Sequence, residues 1–80
     1  MRTSLFAVLA LLVVGPAFAD DKAACTDGIA MIRSELGKGP AEALQGKLEK
    51  ALRVAERELG EGEFDECLDA VGDARRALKP

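Results

Sequence analysis

Two cysteines are the residues of this sequence that could form a covalent bond with each other. Cys25 and Cys67 are the only cysteines, and they stand far apart along the chain. Such a pair could be a structural disulfide or a redox-active dithiol. Redox pairs typically form a Cys-x-x-Cys motif near a helix N-terminus, where the pKa of a thiol is lowered. The wide spacing and the apolar neighbours of both cysteines favour the structural disulfide.

A row of carboxylates is the second feature with chemical potential. Asp65, Asp69 and Asp73 recur at every fourth residue, with Glu66 beside them. On a helix this spacing aligns the carboxylates along one edge. Such a row could bind a hard cation such as Ca²⁺, dock a basic partner or face the solvent. No loop of the EF-hand type accompanies it, so we predict no metal site and interpret the four residues as a solvent-facing row and a candidate acidic docking edge.

The composition excludes most enzyme chemistry. The sequence has no His, Trp, Tyr or Asn, and beyond residue 19 its only hydroxyl side chains are Thr26 and Ser34. Serine and cysteine hydrolases of the usual kind need an imidazole base, and common zinc or copper sites need imidazole or several thiolates. We therefore expect a protein that is not an enzyme and holds no cofactor.

The N-terminal segment has the pattern of a secretory signal peptide. A single cation, Arg2, precedes a charge-free stretch whose apolar core runs from Leu5 to Val14. This length suits the apolar region of a signal peptide, whereas a membrane-spanning helix needs about 20 apolar residues. The small residues Ala17 and Ala19 occupy the −3 and −1 positions of a cleavage site. Cleavage there leaves Asp20 as the new N-terminus.

Two other interpretations of this segment fit less well. A retained membrane anchor needs about twice the uninterrupted apolar length. A lipoprotein would be acylated at Cys25, but Lys22 stands three residues before it, where a lipobox has an aliphatic residue. We therefore predict that residues 1–19 are a cleaved signal peptide, that residues 20–80 form a single helical domain, and that the protein is periplasmic or secreted.

The charge balance narrows the choice of partner. Removing residues 1–19 takes away Arg2 alone, so ten of the 11 Lys or Arg residues remain against 14 Asp or Glu, a formal charge of −4. Nucleic acids and anionic lipid surfaces are bound by basic surfaces. We therefore expect no nucleic-acid partner and no membrane span in the mature protein. A protein partner with a basic or apolar surface is compatible with this charge.

Two glycine-rich breaks, residues 37–40 and 60–62, divide the mature chain into three segments with helical periodicity. We predict helices at about 21–36, 40–59 and 63–78, with Gly37 as a left-handed C-cap and Pro40 in the first turn of the second helix. Each helix carries one apolar stripe: Cys25, Ile29, Ile32 and Leu36, with Met31 beside them; Leu44, Leu48, Ala51, Leu52, Ala55 and Leu59; and Phe64, Cys67, Leu68, Val71, Ala74 and Leu78.

Two kinds of local contact follow from helical spacing. Glu49 and Arg53 are expected to pair on the surface of the second helix. Three glycines inside the predicted helices, Gly28, Gly46 and Gly72, either allow close helix approach or are tolerated imperfections.

The predicted fold is all-α, an up-down-up three-helix bundle. Short connections make consecutive helices antiparallel, so the first and third run in the same direction. Cys25 lies near the start of the first helix and Cys67 about one turn into the third. Both then reach the same end of the bundle, and in a compartment that permits disulfides we predict that they are bonded.

The run from Gly62 to Val71, continued by Ala77 to Pro80, is similar to the second helix of a tetratricopeptide-type hairpin. It has a glycine, an aromatic residue two positions later, a small residue three after that, and a closing proline. The resemblance spans Leu48–Pro80 and implies two antiparallel helices. The first helix lacks the bulky aromatic residues and the Leu-Gly pair of that family, so no binding residue is implied.

These features predict a small exported, non-enzymatic helical module that binds another protein or has a structural role. Its contact surface is expected at the acidic edge or at exposed parts of the apolar stripes. The alternative is a periplasmic acid-stress chaperone, because the chain also resembles small exported helical proteins with one disulfide, a group that includes such chaperones. Acidification would loosen that bundle and expose its apolar helix faces.

Overall fold

The described part of the chain is a bundle of three α-helices. The structure is a computed structural model that describes residues 16–80, with side chains from Asp20 onward. Helix α1 spans Pro16–Gly37, α2 spans Glu42–Gly60 and α3 spans Phe64–Leu78, and the described residues contain no strand. Each helix packs against the other two. The predicted all-α, up-down-up bundle is confirmed.

Helix α1 begins earlier than the sequence pattern predicts. Its first residue is Pro16, five positions before the expected start. The predicted cleavage residues Ala17, Ala19 and Asp20 therefore lie on helical backbone. The apolar core of the predicted signal peptide, Leu5 to Val14, lies outside the described residues.

The connection between α1 and α2 differs from the prediction at Gly37 and at Pro40. Gly37 is the last residue of α1, and the left-handed residue is Gly39, with φ +70°. The amides of Lys38 and Gly39 donate to the carbonyls of residues 35 and 36 at 3.1 and 3.2 Å. Pro40 lies outside α2, whose N-cap is Ala41. The residue before a proline avoids helical conformation, so the break falls at Gly39.

The connection between α2 and α3 is a Schellman motif. Gly62 has φ +77°, which a residue without a Cβ adopts at little cost. Its amide donates to the Leu59 carbonyl at 3.1 Å, and the Glu63 amide donates to the Glu58 carbonyl at 2.9 Å. These two bonds satisfy carbonyls that the end of α2 would otherwise leave unpaired. Helix α3 then starts after only three intervening residues.

The core lies between the three helices and comes from the predicted apolar stripes, together with Ala70 and Val54, which no predicted stripe included. Phe64 is the exception, because it is the first residue of α3 and stays half-buried at the end of the bundle. Partly buried side chains surround the core, namely Met31, Leu36, Leu44, Leu52, Val54, Leu59, Leu68 and Leu78. The buried core residues are Cys25, Ile29, Ile32, Leu48, Ala51, Ala55, Cys67, Ala70, Val71 and Ala74.

Helices α1 and α3 approach most closely at Gly28. A Cβ placed on Gly28 would lie 2.5 and 2.6 Å from the two methyl carbons of Val71, which is closer than real Cβ contacts come. Gly28 is therefore required by packing. Gly46 has nothing within 4 Å of such a Cβ, and Gly72 meets only the end of the Arg76 side chain. Of the three glycines, Gly28 alone makes room for a neighbouring helix.

Surface ion pairs within residues 20–80 differ from the predicted one. Glu49 accepts a hydrogen bond from Gln45 at 3.2 Å and forms no salt bridge with Arg53. Arg53 is exposed and extends into the solvent, where a helical ion pair stabilises by only a few tenths of a kcal/mol. The observed pair between helices joins Arg33 of α1 to Glu56 of α2.

Candidate functional site

The disulfide joins α1 and α3 at one end of the bundle. Cys25 and Cys67 are bonded across 42 residues of sequence, with a Cα–Cα distance of 5.8 Å. Both side chains are fully buried. Thiol–disulfide exchange needs access for an attacking thiolate, which the folded bundle does not provide here. The predicted pairing is confirmed, and the bond is consistent with an exported protein in an oxidising compartment.

The described part of the chain offers no membrane-crossing element. No helix within residues 16–80 is long and apolar enough to cross a bilayer.

The four residues of the acidic edge, Asp65, Glu66, Asp69 and Asp73, are all exposed on α3. Asp73 forms an ion pair with Arg76 one turn later. Asp65 accepts a hydrogen bond from the backbone amide of Glu66 at 3.0 Å. Within the described residues, no three Cys, Asp or Glu side chains are grouped so that they could share a metal ion. The edge is a solvent-facing row of carboxylates.

A cluster of like charges lies where α2 turns into α3. Glu58 is buried, with 8 % of its surface exposed. It accepts hydrogen bonds from Nε and Nη2 of the Arg57 guanidinium at 3.1 and 3.0 Å. The charge of Glu58 raises the pKa of Glu66 above its usual 4.5, and lost hydration and the charges of Glu63 and Asp65 add to this effect. Protonation of Glu66 therefore relieves repulsion at this turn.

The burial of Glu58 was not predicted from the sequence. Glu58 follows Ala51 by seven positions and Ala55 by three, so it lies on the apolar side of α2. That periodicity was sufficient to predict a charged side chain at the edge of the core. Its contact with the start of α3 depends on the tight turn between the two helices.

An open groove runs between α2 and α3, with a volume of ≈ 250 Å³. Lys47 and Lys50 of α2 line one wall, and Asp73 of α3 lines the other. The floor is apolar and consists mostly of small side chains, namely Ala51, Val54, Ala70 and Ala77. Cofactor and drug-like ligands occupy cavities of about 300–1,000 Å³ that enclose most of their surface. This smaller, open groove suits a side chain of a partner protein better than an enclosed ligand.

A second depression lies at the disulfide end of the bundle. Asp21 of α1 lines it together with Gly62, Glu63, Phe64 and Asp65. Three of these five residues carry carboxylates, and Phe64 is the only large apolar side chain among them. The depression therefore lacks the apolar floor that distinguishes the α2–α3 groove.

No protein-family model matches the chain, and no curated protein matches it in sequence. The resemblance of Leu48–Pro80 to a tetratricopeptide-type hairpin therefore stays a prediction. The site has to be interpreted from its own geometry.

Proposed function

We propose that this protein is a small exported, non-enzymatic module that binds another protein through the face formed by α2 and α3. The observation that carries the proposal is the groove between these helices. It combines an apolar floor with charged walls, as protein interfaces combine an apolar centre with a polar rim. Ala51 and Ala70 are small enough to leave space for a partner side chain above them.

The residues of the groove indicate which side chains a partner protein should present to it. Val54 and Ala77 are half-buried, so an apolar side chain inserted between them would remove further apolar surface from water. The acidic edge borders the same face on the α3 side and favours a partner with Lys or Arg at that position. Such rim charges mainly steer association and set orientation, while the apolar contact contributes most of the affinity.

Export is the second part of the proposal. It is supported by the signal-peptide pattern of residues 1–19 and by a disulfide that needs an oxidising compartment. We expect the mature protein to start at Asp20 and to be periplasmic or secreted. Intact mass and N-terminal sequencing of the exported protein measure this start, and an N-terminus that retains Leu5 to Val14 would contradict cleavage.

A photo-crosslinking experiment tests the binding face. A photoreactive amino acid replaces Ala77 in the groove, and in a matched variant it replaces Ala30, an exposed alanine of α1. Both proteins are irradiated in the exported fraction of producing cells. We expect a covalent protein adduct from position 77 and none from position 30. Equal adducts at both positions, or no adduct at position 77, would argue against this face.

The acid-stress chaperone is less well supported. Such a protein should lose stability as the pH falls. Glu66 acts in the opposite direction, because its raised pKa in the folded state means that protonation favours folding. Its repulsive contribution is present above that pKa and is removed below the usual 4.5. Dye binding by the protein at pH 2–3 and pH 7 separates the two hypotheses, since only the chaperone would expose apolar surface in acid.

A further inference from the structure

The two sides of the α2–α3 groove carry opposite charges. On α2, Lys47, Lys50 and Arg53 follow one another at spacings of three residues and are all exposed, and we call them the basic edge. The acidic edge lies on α3. Two of these cations and one of the carboxylates also line the groove itself. The face therefore has a basic side, an apolar centre and an acidic side.

Within residues 20–80, most of these charges have no ion-pair partner. Among residues 20–80, no salt bridge involves Lys47, Lys50 or Arg53. In this part of the chain, three residues of the acidic edge also form no salt bridge. Asp73 is the one that is paired there, with Arg76. Both edges are exposed beside the groove, so they are available to a surface that approaches the face from outside.

We infer that the α2–α3 face binds a second copy of the same face, forming a two-fold symmetric dimer. The symmetry axis runs along the groove, parallel to the helices. Rotation by 180° about this axis places the basic edge of one copy opposite the acidic edge of the other, twice. The two apolar floors then meet in the centre. Such an isologous contact is the commonest form of protein oligomer.

Charge complementarity favours a second copy over other partners. A uniformly basic partner would be repelled by the basic edge, and a uniformly acidic one by the acidic edge. The matching surface must carry both signs in reversed order about an apolar centre, and the chain's own face has this arrangement. The inference rests on the proposed function, because it names the occupant of the same face.

The area of the α2–α3 face determines how strong a dimer we expect. Helix α3 has 15 residues, which corresponds to about 22 Å at 1.5 Å per residue. Two helices side by side are about 20 Å wide. A contact of roughly 440 Å² per copy is smaller than the ~800 Å² of a standard stable interface. We therefore expect a weak dimer, populated at roughly hundreds of micromolar protein, as small interfaces are.

A charge-swap experiment tests the dimer. One variant carries Lys50→Glu and Arg53→Glu, and the other carries Glu66→Lys and Asp69→Lys. Each variant alone would bring like charges together at both edges of the dimer. A 1:1 mixture restores opposite charges at both edges. Sedimentation equilibrium of the exported, disulfide-bonded protein measures the mass of the wild type, each variant and the mixture.

We expect dimers from the wild type and from the mixture, and monomers from each variant alone. Circular dichroism checks that every variant is folded. Should a variant not fold, the wild type still tests the inference, because raising the salt from 0.15 M to 1 M shortens the Debye length from about 8 to about 3 Å. This screening should shift the wild type towards monomer.

A wild type that stays monomeric at about 1 mM would overturn the inference, since even weak interfaces associate at that concentration. So would a mixture that remains monomeric while the wild type dimerises. The crosslink at position 77 keeps the two proposals distinguishable. An adduct of twice the chain mass supports the dimer, an adduct with a different protein leaves only the proposed function standing, and no adduct counts against both.

Discussion

Helix α3 contacts its two neighbours in different ways. Towards α1 the contact is tight: it contains the buried Cys25–Cys67 disulfide, and the backbone at Gly28 lies directly against Val71. Towards α2 the contact leaves an open groove of ≈ 250 Å³ above a floor of mostly small side chains. One helix thus has a closed side and an open side.

The two sides of α3 have different roles: the closed side stabilises the fold, and the open side is the proposed binding surface. On the closed side, a covalent bond and close packing fix two helices that are distant in sequence. On the open side, a short Schellman turn connects α2 and α3, and the two helices pack against each other beneath the groove. Substitutions on the closed side should therefore change stability, whereas substitutions of exposed groove residues such as Lys47 and Lys50 should change binding.

Removing the disulfide should have the largest effect. Replacing both Cys25 and Cys67 with Ala removes a cross-link between residues 42 positions apart, so the unfolded chain gains conformational freedom. In the chain-entropy model this lowers the free energy of unfolding by about 4 kcal/mol. Urea denaturation followed by circular dichroism measures the change. A decrease below about 1 kcal/mol would mean that the closed side depends little on its covalent bond.

Filling the space at Gly28 should have the next largest effect. Gly28→Ala places a methyl group against Val71, and such overpacking costs about 1–3 kcal/mol, partly offset by the higher helix propensity of alanine. We expect a net loss of about 1–2 kcal/mol. Gly46→Ala is the matched control, because it has open space around it and should stabilise by about 0.5–1 kcal/mol. Equal effects of the two substitutions would refute the close approach.

Neutralising Glu66 should have the smallest effect. Glu66→Gln removes repulsion by Glu58, Glu63 and Asp65, so the variant should be more stable than the wild type at pH 7. The gain should fade as the pH falls through the raised pKa of Glu66 and be lost below the usual 4.5, because protonation then removes the charge from the wild-type carboxyl as well. Thermal melts of both proteins at pH 4 and pH 7 measure this difference. A gain that is equal at both pH values would have a cause other than charge.

The features that could be predicted from the sequence depend on residue patterns within single helices and on the short loops between them. Periodicity identified three helices and most of the large apolar residues that pack in or against the core, but it missed Val54 and included Phe64, which is not among them. The cysteine pairing followed because a short-loop bundle places both cysteines at the same end. Local turn geometry was less accurate. The left-handed residue lies at Gly39, since α1 runs through Gly37 and the chain turns two residues later, where a glycine adopts a positive φ at little cost.

Amino-acid types and spacing by themselves determined the fold class, the disulfide and the acidic edge, because each depends on helical periodicity or on which residues are present. The role of Gly28, the burial of Glu58 and the α2–α3 groove were decided only by the tertiary structure. Each of these depends on the distance between two helices. That distance is set by the side chains of both helices together, so the sequence of either helix alone does not contain it.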